Sequence, residues 1–386
     1  MPIVNPNLDI TPVDRDGALH GFDVRAVVKG RGKLRAMVTP TEPDGHAFAA
    51  LRALLAGATN LEPPAWSALA SLGVVISPNE VSQPVRFSCS LDTLEVAEIP
   101  SRLRQVDVPS AILNPAVRIV PFDELVERDP ANSHIWEPVE RLVMVRDRRT
   151  EMEYPFWASD PVIATIEQLI SGTRSIPTLD ADLRTRLVAA GIVIDPAGET
   201  FETFAANAHA RYKVGDYVTL TRLLNGAHIV AMRTYYTRVL EEGFVYLSDG
   251  QVPLRYAMHR EPLMAFYHHQ IRGLFETVVG EPIKCSYPYF GAYRNGADLE
   301  KHTDREQCEW TASLLIDELP RPEGISDWSL FLELPTGDCT PMLMGIGDGS
   351  IYLGRKLPHY RDAFTGQLMT CHFYHYVKAD FDGPLD

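Results

Sequence analysis

Two histidines and an aspartate in the C-terminal half of the chain have the residue types and spacing of metal ligands. His302 and Asp304 stand two positions apart in the stretch LEKHTDREQCEW, and His359 follows after further predicted strands. Side chains two residues apart leave the same face of a β-strand, so His302 and Asp304 can point into one cavity. Two histidines and one carboxylate form the facial triad of non-haem iron(II) sites, which leaves coordination positions open.

Other interpretations of these residues remain open at this point. The chain has 12 histidines, and a single histidine in a strand is more often a surface or core residue than a ligand. The HTD triplet also suits a solvated turn, and His372 and His375 compete with His359 for the third ligand position. Nitrogen and oxygen donors without a thiolate suit iron(II) better than a closed structural zinc site.

The surrounding motifs resemble the iron(II)/2-oxoglutarate dioxygenases that fold as a double-stranded β-helix (jelly roll), the superfamily that includes the prolyl hydroxylases. The resemblance covers about residues 210–377. The matching features are Tyr293, Gly296, the triplet His302-Thr303-Asp304, the run GDGSIYLG before Leu357-Pro358-His359, and Gly366. The resemblance implies iron(II), 2-oxoglutarate as cosubstrate and dioxygen, with hydroxylation of a C–H bond and release of succinate and carbon dioxide.

The family pattern also ranks the alternatives. It favours His359 as the third ligand, because His372 and His375 lie on the closing strand after Gly366, where the family places contacts to cosubstrate or substrate. It favours hydroxylation, or a desaturation variant, over halogenation, because halogenases of the superfamily carry a small residue at the position of Asp304.

The cosubstrate partner departs from the family pattern. Related enzymes commonly carry an arginine or lysine about ten residues past the distal histidine, and the corresponding stretch here, TGQLMTCHF, contains no cation. We nominate Arg361, which can share a face with His359 and whose planar fork matches a carboxylate. Its alternative role is a surface arginine paired with Asp362. Tyr293 is a further candidate for the same carboxylate, and His372 is the fallback.

Polar and aromatic residues around the predicted site have less specific roles. Arg305 can bind an acidic substrate or pair with Glu306 or Glu309 on the surface. Cys308 is interpreted as apolar filler. Tyr287 and Tyr289 are interpreted as core residues, which is the usual role of aromatic side chains in a barrel.

The N-terminal half contains an internal repeat. Residues 24–78 and 142–196 each show two apolar runs around a basic turn, a helical stretch ending in glycine (FAALRALLAG and VIATIEQLISG), a second helical pattern and a short closing run, GVVISP or GIVIDP. This order predicts a duplicated winged-helix-like unit. It is either duplicated packing without a ligand or a docking module, and it resembles the small domains that bind leader peptides in peptide-modifying systems.

The remaining segments complete the predicted architecture. SQPVRFSCSLD and AILNPAVRIVPF are predicted to be strands that link the repeats, residues 215–243 and 261–280 to be amphipathic helices, and the chain from residue 283 onward to be rich in short strands. We expect an α+β protein with a C-terminal jelly roll and flanking helices. The predicted domains are residues 1–125 (first repeat and linking strands), 126–205 (second repeat) and 206–386 (jelly-roll dioxygenase).

Composition excludes several classes of function. The net charge of −15 and pI near 5.3 argue against a nucleic-acid surface. The five cysteines are scattered and never form a CxxC pair, which argues against a disulfide scaffold or structural zinc. No apolar run has the length of a membrane span, and the N-terminus lacks the pattern of a secretory signal. We therefore expect a cytoplasmic protein with no nucleic-acid or membrane partner.

The function that these residues favour is a 2-oxoglutarate-dependent hydroxylase. The repeats favour a peptide, a protein or a carrier-bound amino acid as substrate, although a small free metabolite is also compatible, and the repeats could instead support a homodimer. One alternative is an inactive barrel that binds a peptide or partner. Another is a cupin-type zinc(II) or manganese(II) enzyme that does not use 2-oxoglutarate.

Overall fold

The chain folds as a mixed α/β protein that divides into two compact units. The computed structural model describes residues 2–15, 17–41, 44–58, 62–104 and 110–385. One unit comprises residues 1–85 with 236–247, and the other comprises residues 86–235 with 248–386. None of the described helices combines the length and apolar character that crossing a lipid bilayer requires. All five cysteines are free, as their spacing predicts.

The first repeat contains the predicted hairpin, two helices and closing strand. Its elements are β1 (Ile3–Val4), β2 (Leu8–Arg15), β3 (Ala18–Val28), β4 (Gly32–Val38), α1 (Gly45–Leu55), α2 (Pro63–Ser71) and β5 (Val75–Ile76). Strands β2, β3 and β4 form an antiparallel sheet, and β1 pairs with β5. Alternate residues of β3, such as Phe22 and Val24, are buried against Phe48 and Leu51 of α1, so the period of two in the strand and the helical stripe create one core.

The second repeat has the same order of elements, with one additional helix between its second and third strands. They are β6 (Ile112–Leu113), β7 (Val117–Pro121), α3 (Phe122–Arg128), β8 (Arg141–Arg146), β9 (Glu153–Phe156), α4 (Asp160–Ile170), α5 (Ala181–Ala189) and β10 (Val193–Ile194). Strands β7, β8 and β9 form an antiparallel sheet, and β6 pairs with β10. In each repeat, two strands precede the predicted hairpin. The short first strand pairs with the closing strand, and the second strand joins the sheet of the hairpin.

A buried asparagine occupies the same place in both repeats. The Asn5 side-chain amide donates hydrogen bonds of 3.0 Å to the carbonyls of Val27 and Gly73. The Asn114 amide donates bonds of 3.0 Å to the carbonyls of Arg146 and Gly191. Each asparagine is followed by proline, and each ties the short first strand to the hairpin and to the start of the closing run. This shared bonding supports the duplication independently of the hydrophobic pattern.

The two predicted linking strands differ in outcome. SQPVRFSCSLD makes only isolated bridges, Phe87 with Trp136 and Ser90 with Trp157. AILNPAVRIVPF supplies β6 and β7, which belong to the second repeat because β6 pairs with β10 and β7 pairs with β8. The second repeat therefore starts before residue 126, at which the sequence analysis had placed its beginning.

The following segment corrects one prediction. The elements are α6 (Phe201–Gly215), β11 (Tyr217–Leu220), α7 (Gly226–Glu241), β12 (Tyr246–Leu247), β13 (Arg255–His259) and α8 (Pro262–Val279). The helix predicted over residues 215–243 forms only as α7, because residues 217–220 are strand β11, paired with β19, directly after Asp216, whose positive φ of 62° ends α6. The Asn225 side chain then accepts a hydrogen bond of 2.9 Å from the Ala227 N–H and caps α7. The predicted second helix is α8, capped by Glu261.

The strand-rich C-terminal region was predicted correctly. Its strands are β14 (Ile283–Arg294), β15 (Leu299–His302), β16 (Trp310–Leu319), β17 (Leu330–Glu333), β18 (Cys339–Met342), β19 (Gly349–Tyr352), β20 (His359–Arg361) and β21 (Leu368–Lys378). Six strands of the second unit form an antiparallel sheet in the order β11-β19-β16-β21-β14-β13, and four form a smaller sheet in the order β15-β20-β17-β18. Residues from both sheets line one cavity of about 400 Å³.

The repeated asparagine yields a stability prediction. We expect Asn114→Ala to lower the free energy of unfolding by about 1–3 kcal/mol, because the buried Gly191 carbonyl and the part-buried Arg146 carbonyl lose their donor. Urea denaturation followed by circular dichroism measures this value. Asn132→Ala is the matched control, since its amide bonds only the nearby Asp129 carboxylate. Equal effects of the two substitutions would show that the Asn114 bonds do not hold the repeat together.

Candidate metal centre and cavity

The three predicted ligands converge in the structure. His302 ends β15 and His359 begins β20, and the two residues are direct partners in the antiparallel pairing of these strands. Asp304 lies two residues beyond His302. One ligand atom from each of the three side chains falls within 4.8 Å of the others. The His302 and His359 Nε2 atoms lie 3.8 and 3.6 Å from Asp304 Oδ1, respectively.

Backbone carbonyls orient both histidine rings. His302 Nδ1 lies 2.8 Å from the Glu300 carbonyl oxygen, and His359 Nδ1 lies 2.9 Å from that of Leu357. A carbonyl can only accept, so each Nδ1 carries a proton, and each Nε2 faces Asp304 and is the nitrogen that can bind a metal when the ring is neutral. Metal-binding histidines are commonly fixed in this way. Burial, with the neighbouring His359, lowers the pKa of His302 below its ordinary value, which favours the neutral form that a ligand requires.

The Asp304 carboxylate is held on its other side by a hydroxyl. Thr311 Oγ1 on β16 donates a 2.5 Å hydrogen bond to Asp304 Oδ2, and the Asp304 N–H donates to the Gly354 carbonyl at 2.9 Å. A side chain at Gly354 would place its Cβ 2.1 Å from Oδ2, so glycine is required there. Burial raises the pKa of Asp304, but the bond and charge of His359 outweigh it and lower the pKa to about 2. Oδ1 therefore stays free as a charged donor atom.

His375 completes a chain of hydrogen bonds behind the aspartate. Its Nδ1 lies 3.0 Å from Thr311 Oγ1. Because the threonine proton is used on Asp304, His375 Nδ1 must be the donor to Thr311. Burial lowers the pKa of His375 to about 4. The ring is therefore neutral, with its one proton on Nδ1. His375 thus supports the candidate site from behind Asp304.

His372 is not placed for the cosubstrate role that served as the fallback. Phe373 and His375 of β21 line the cavity, and alternation along the strand turns His372 and Tyr374 to the other face. There, His372 Nδ1 lies 3.2 Å from the Tyr374 hydroxyl, and Tyr374 stacks on His268 of α8 at 5.1 Å. The prediction for His372 was wrong, because its side chain leaves the face of β21 that points away from the cavity.

Arg361 is buried on the cavity wall. Its side chain is 2% exposed, and Nη1 donates to the Trp328 carbonyl at 2.9 Å. Among the described residues, Nε and Nη2 have no hydrogen-bond partner. The guanidinium lies over the Trp328 ring at 4.6 Å. A surface pair with Asp362, the alternative role, does not occur in the described part of the chain.

Tyr293 lies on the same wall, bonded to a second arginine. Its hydroxyl accepts a 2.7 Å bond from Arg255 Nη1. Arg255 also donates to Asp249 at 2.5 Å through Nε and to Gln251 at 3.1 Å through Nη2, so each of its nitrogen atoms has a partner. Burial raises the pKa of Asp249, but the Arg255 charge and the Tyr289 hydroxyl outweigh it and keep the pKa low. The Arg255–Asp249 pair is therefore neutral overall.

Arg305 faces the cavity. Its Nε donates to the Tyr287 hydroxyl at 3.0 Å, and its guanidinium lies over the Tyr287 ring at 4.7 Å. The expected surface partner Glu309 instead pairs with Arg355 at 3.0 Å. Cys308, interpreted as filler, is buried with its sulfur 3.1 Å from the Tyr287 hydroxyl. Tyr287, Tyr289 and Tyr293 all line the cavity, so they are wall residues of a site as well as packed aromatics.

Sequence reasoning missed four residues of this arrangement: Asp249, Arg255, Thr311 and His375 as a supporting group. Asp249 lies before β13 and Arg255 is the first residue of that strand. Both are upstream of the motifs recognised in the sequence. Thr311 could have been found from its place near the start of the strand that follows the HTD triplet. The link between Thr311 and His375 depends on the pairing of β16 with β21, which the sequence does not display.

Comparison with solved structures gives oxygenases of the expected kind. No protein-family model matches the sequence, and the search of curated proteins gave no match. One structural neighbour is the non-haem alpha-ketoglutarate-dependent epimerase SnoN from nogalamycin biosynthesis, at 14% identity and TM-score 0.39, over 45% of this chain and 81% of that chain. Another is a Pseudomonas putida prolyl-4-hydroxylase, at 15% identity and TM-score 0.39, over 45% of this chain and 98% of that chain.

A third neighbour is HygX from Streptomyces hygroscopicus, whose structure holds nickel and 2-oxoglutarate, at 11% identity and TM-score 0.37, over 45% of this chain and 87% of that chain. Of these three, SnoN is an alpha-ketoglutarate-dependent protein and HygX binds 2-oxoglutarate in its structure. At these values the likeness transfers neither substrate nor reaction. The chemistry of the site rests on its own side chains.

The hydroxyl behind Asp304 yields a prediction for metal affinity. We expect Thr311→Val to weaken binding of nickel(II) by about 10–100-fold, because loss of a bond that orients a ligand has effects of this size. Calorimetric titration of the metal-free protein measures it, and Thr311→Ser should restore most of the affinity. Ser313→Ala on the same strand is the control, since the Ser313 hydroxyl has no partner among the described residues. Unchanged affinity in Thr311→Val would remove the threonine from the site.

Proposed function

We propose that this protein is an iron(II)/2-oxoglutarate-dependent oxygenase that hydroxylates a substrate C–H bond. The observation that carries the proposal is the presence, in one cavity, of the His302-Asp304-His359 group and of the buried Arg361 with two unpartnered N–H groups. We further propose that the two C-terminal sheets form the jelly roll of this superfamily. The winged-helix-like assignment of the repeats is part of the same proposal.

The donor set fits iron(II). Two imidazole nitrogens and one carboxylate oxygen match the facial triad of non-haem iron, and the group contains no thiolate that would favour a closed zinc site. When bound, iron(II) with 2-oxoglutarate and dioxygen supplies the oxidising chemistry. The chain's own contribution is positional: carbonyls aim the two imidazoles, and Thr311 holds one carboxylate oxygen so that the other faces the histidines.

Arg361 suits the distal carboxylate of 2-oxoglutarate. Its Nε and Nη2 form the parallel pair of donors that a carboxylate accepts in a bidentate way. A buried guanidinium with unsatisfied donors is costly to leave unpaired, so a cavity that presents one favours an anionic ligand. Arg255 is less suited, because its nitrogens are committed to Asp249, Tyr293 and Gln251. The Tyr293 hydroxyl, on the same wall, is a further proposed contact.

The cavity walls also limit water. Tyr293, Leu299, Leu330 and Tyr352 line the cavity and are buried, and Tyr352 packs its ring edge against His359 at 5.0 Å. Exclusion of water strengthens the charged contacts of the site and protects reactive species from side reactions. A wall of this kind supports an oxidative function better than a purely peptide-binding one.

The alternatives differ in what they leave unexplained. An inactive, partner-binding barrel does not account for three convergent ligands with oriented tautomers. A cupin-type zinc(II) or manganese(II) enzyme accounts for the ligands but gives no role to the unpartnered donors of Arg361. A peptide, protein or carrier-bound amino acid as substrate, docked by the repeats, is a proposal that follows from the duplication alone. A homodimer built on the repeats is likewise a proposal that follows from the duplication alone.

Succinate release tests the proposed function. We expect the iron(II)-loaded protein to convert 2-oxoglutarate into succinate in the presence of dioxygen, with His302→Ala abolishing the conversion. Arg361→Gln should raise the 2-oxoglutarate concentration for half-maximal rate by about 10–100-fold, the loss expected for a charge-assisted hydrogen bond. Chromatographic quantification of succinate measures both effects.

The control for these variants is Arg355→Gln, which removes an exposed arginine paired with Glu309. It should leave succinate release unchanged. Release that persists without dioxygen or in His302→Ala would contradict the oxygenase. Tight metal binding with no effect of 2-oxoglutarate would favour the cupin-type alternative.

A further inference from the structure

The cavity is cationic in an acidic protein. Beyond the candidate metal ligands, its walls carry Arg255, Arg305 and Arg361 against the single carboxylate of Asp249. The whole chain carries a net charge of −15. A cleft that concentrates the opposite sign of charge raises the local concentration of anions. The ligands of this cavity are therefore expected to be anionic.

The charges of the proposed cofactors leave one arginine without a counter-ion. The dication iron(II), the dianion 2-oxoglutarate, the Asp304 carboxylate and the Arg361 guanidinium are together neutral. Arg255 is neutralised by Asp249. Arg305 remains as a positive charge on the wall, and it forms no ion pair with any described residue.

The surroundings of Arg305 hold its guanidinium in place at the cavity. Nε donates to the Tyr287 hydroxyl, and the guanidinium lies over the same ring. The Tyr287 ring in turn stacks on His259 at 4.5 Å and contacts His375 at 4.6 Å. The acidic neighbours are turned elsewhere, Glu309 to Arg355 and Glu306 to the Gln307 amide at 3.4 Å. This side chain is thus oriented on an aromatic surface, next to the Cys308 thiol to which it hydrogen-bonds, and no carboxylate of the described residues pairs with its guanidinium.

We propose that Arg305 binds a carboxylate or phosphate group of the substrate and thereby determines specificity for an anionic substrate. The inference rests on the proposed function, which assigns Arg361 to the cosubstrate. A planar, charged fork without a carboxylate partner suits either oxyanion. Because Arg305 and the three candidate metal ligands line one cavity, the bound anion would lie in the same cavity as the metal.

Small fluorinated probes test this site without knowledge of the substrate. The probes are fluoroacetate for a carboxylate, monofluorophosphate for a phosphate and fluoroacetamide as the neutral control. Fluorine NMR line broadening is measured on protein loaded with zinc(II) and 2-oxoglutarate, so that Arg361 is occupied. We expect saturable binding of at least one anion, weakened about tenfold or more in Arg305→Gln. Arg305→Lys should retain part of the affinity, and fluoroacetamide should not bind.

Arg321→Gln, which removes an exposed arginine paired with Asp317, serves as the matched control and should bind the anion like the unchanged protein. If fluoroacetate binds and monofluorophosphate does not, the substrate group is a carboxylate, and the reverse result indicates a phosphate. Absence of saturable binding by both anions, or equal binding in Arg305→Gln, would overturn the proposal.

A separate titration of 2-oxoglutarate into the zinc-loaded protein keeps this result apart from the proposed function. Loss of 2-oxoglutarate binding in Arg361→Gln but not in Arg305→Gln supports the cosubstrate assignment, whatever the probes show. Anion binding that disappears in Arg361→Gln and persists in Arg305→Gln would place the anion at the cosubstrate position and overturn the inference about Arg305.

Discussion

The pairing of β15 with β20 is the constraint on which the candidate site depends. It sets His302 directly opposite His359, at the short cross-strand distance at which side chains interact. A slip of one residue would turn one imidazole to the other face of the sheet. Asp304 can complete the group only because the chain leaves β15 at this point and its N–H bonds the Gly354 carbonyl. The metal chemistry proposed for this protein is thus a consequence of strand register.

Around this pair, charge is distributed so that each cavity group has a distinct state. Asp304 is ionised, His375 is neutral, and Arg255 is compensated by Asp249. Among the described residues, two nitrogens of the buried Arg361 have no hydrogen-bond partner, and the exposed Arg305 on the Tyr287 ring has no carboxylate partner. Buried unpaired donors are unfavourable in a folded protein unless a ligand satisfies them. The arrangement therefore favours binding of two anions, which we assign to cosubstrate and substrate.

The sequence predicted those features of the site that depend on local spacing. His302 and Asp304 follow from the i, i+2 rule, His359 follows from motif order, and the repeats follow from their hydrophobic period. Arg361 was nominated against the family pattern, from its place two residues after His359. The features that it missed are bonds between segments distant in the chain. Thr311 reaches His375 across β16 and β21, and Asn114 bonds backbone carbonyls far along the sequence. The cosubstrate role predicted for His372 was wrong, because alternation along β21 turns its side chain away from the cavity. The helix predicted over residues 217–220 was wrong, because a short apolar run suits a strand as well as a helix.

We propose that His302, Asp304 and His359 hold one iron(II) ion, which 2-oxoglutarate would chelate. The most direct measurement is an anaerobic titration of the metal-free protein with iron(II) and then 2-oxoglutarate, followed by visible absorption. We expect a weak charge-transfer band that requires both additions, saturates at one iron per chain and is absent in His359→Ala. Iron binding without this band, or a band that persists in His359→Ala, would contradict this proposal.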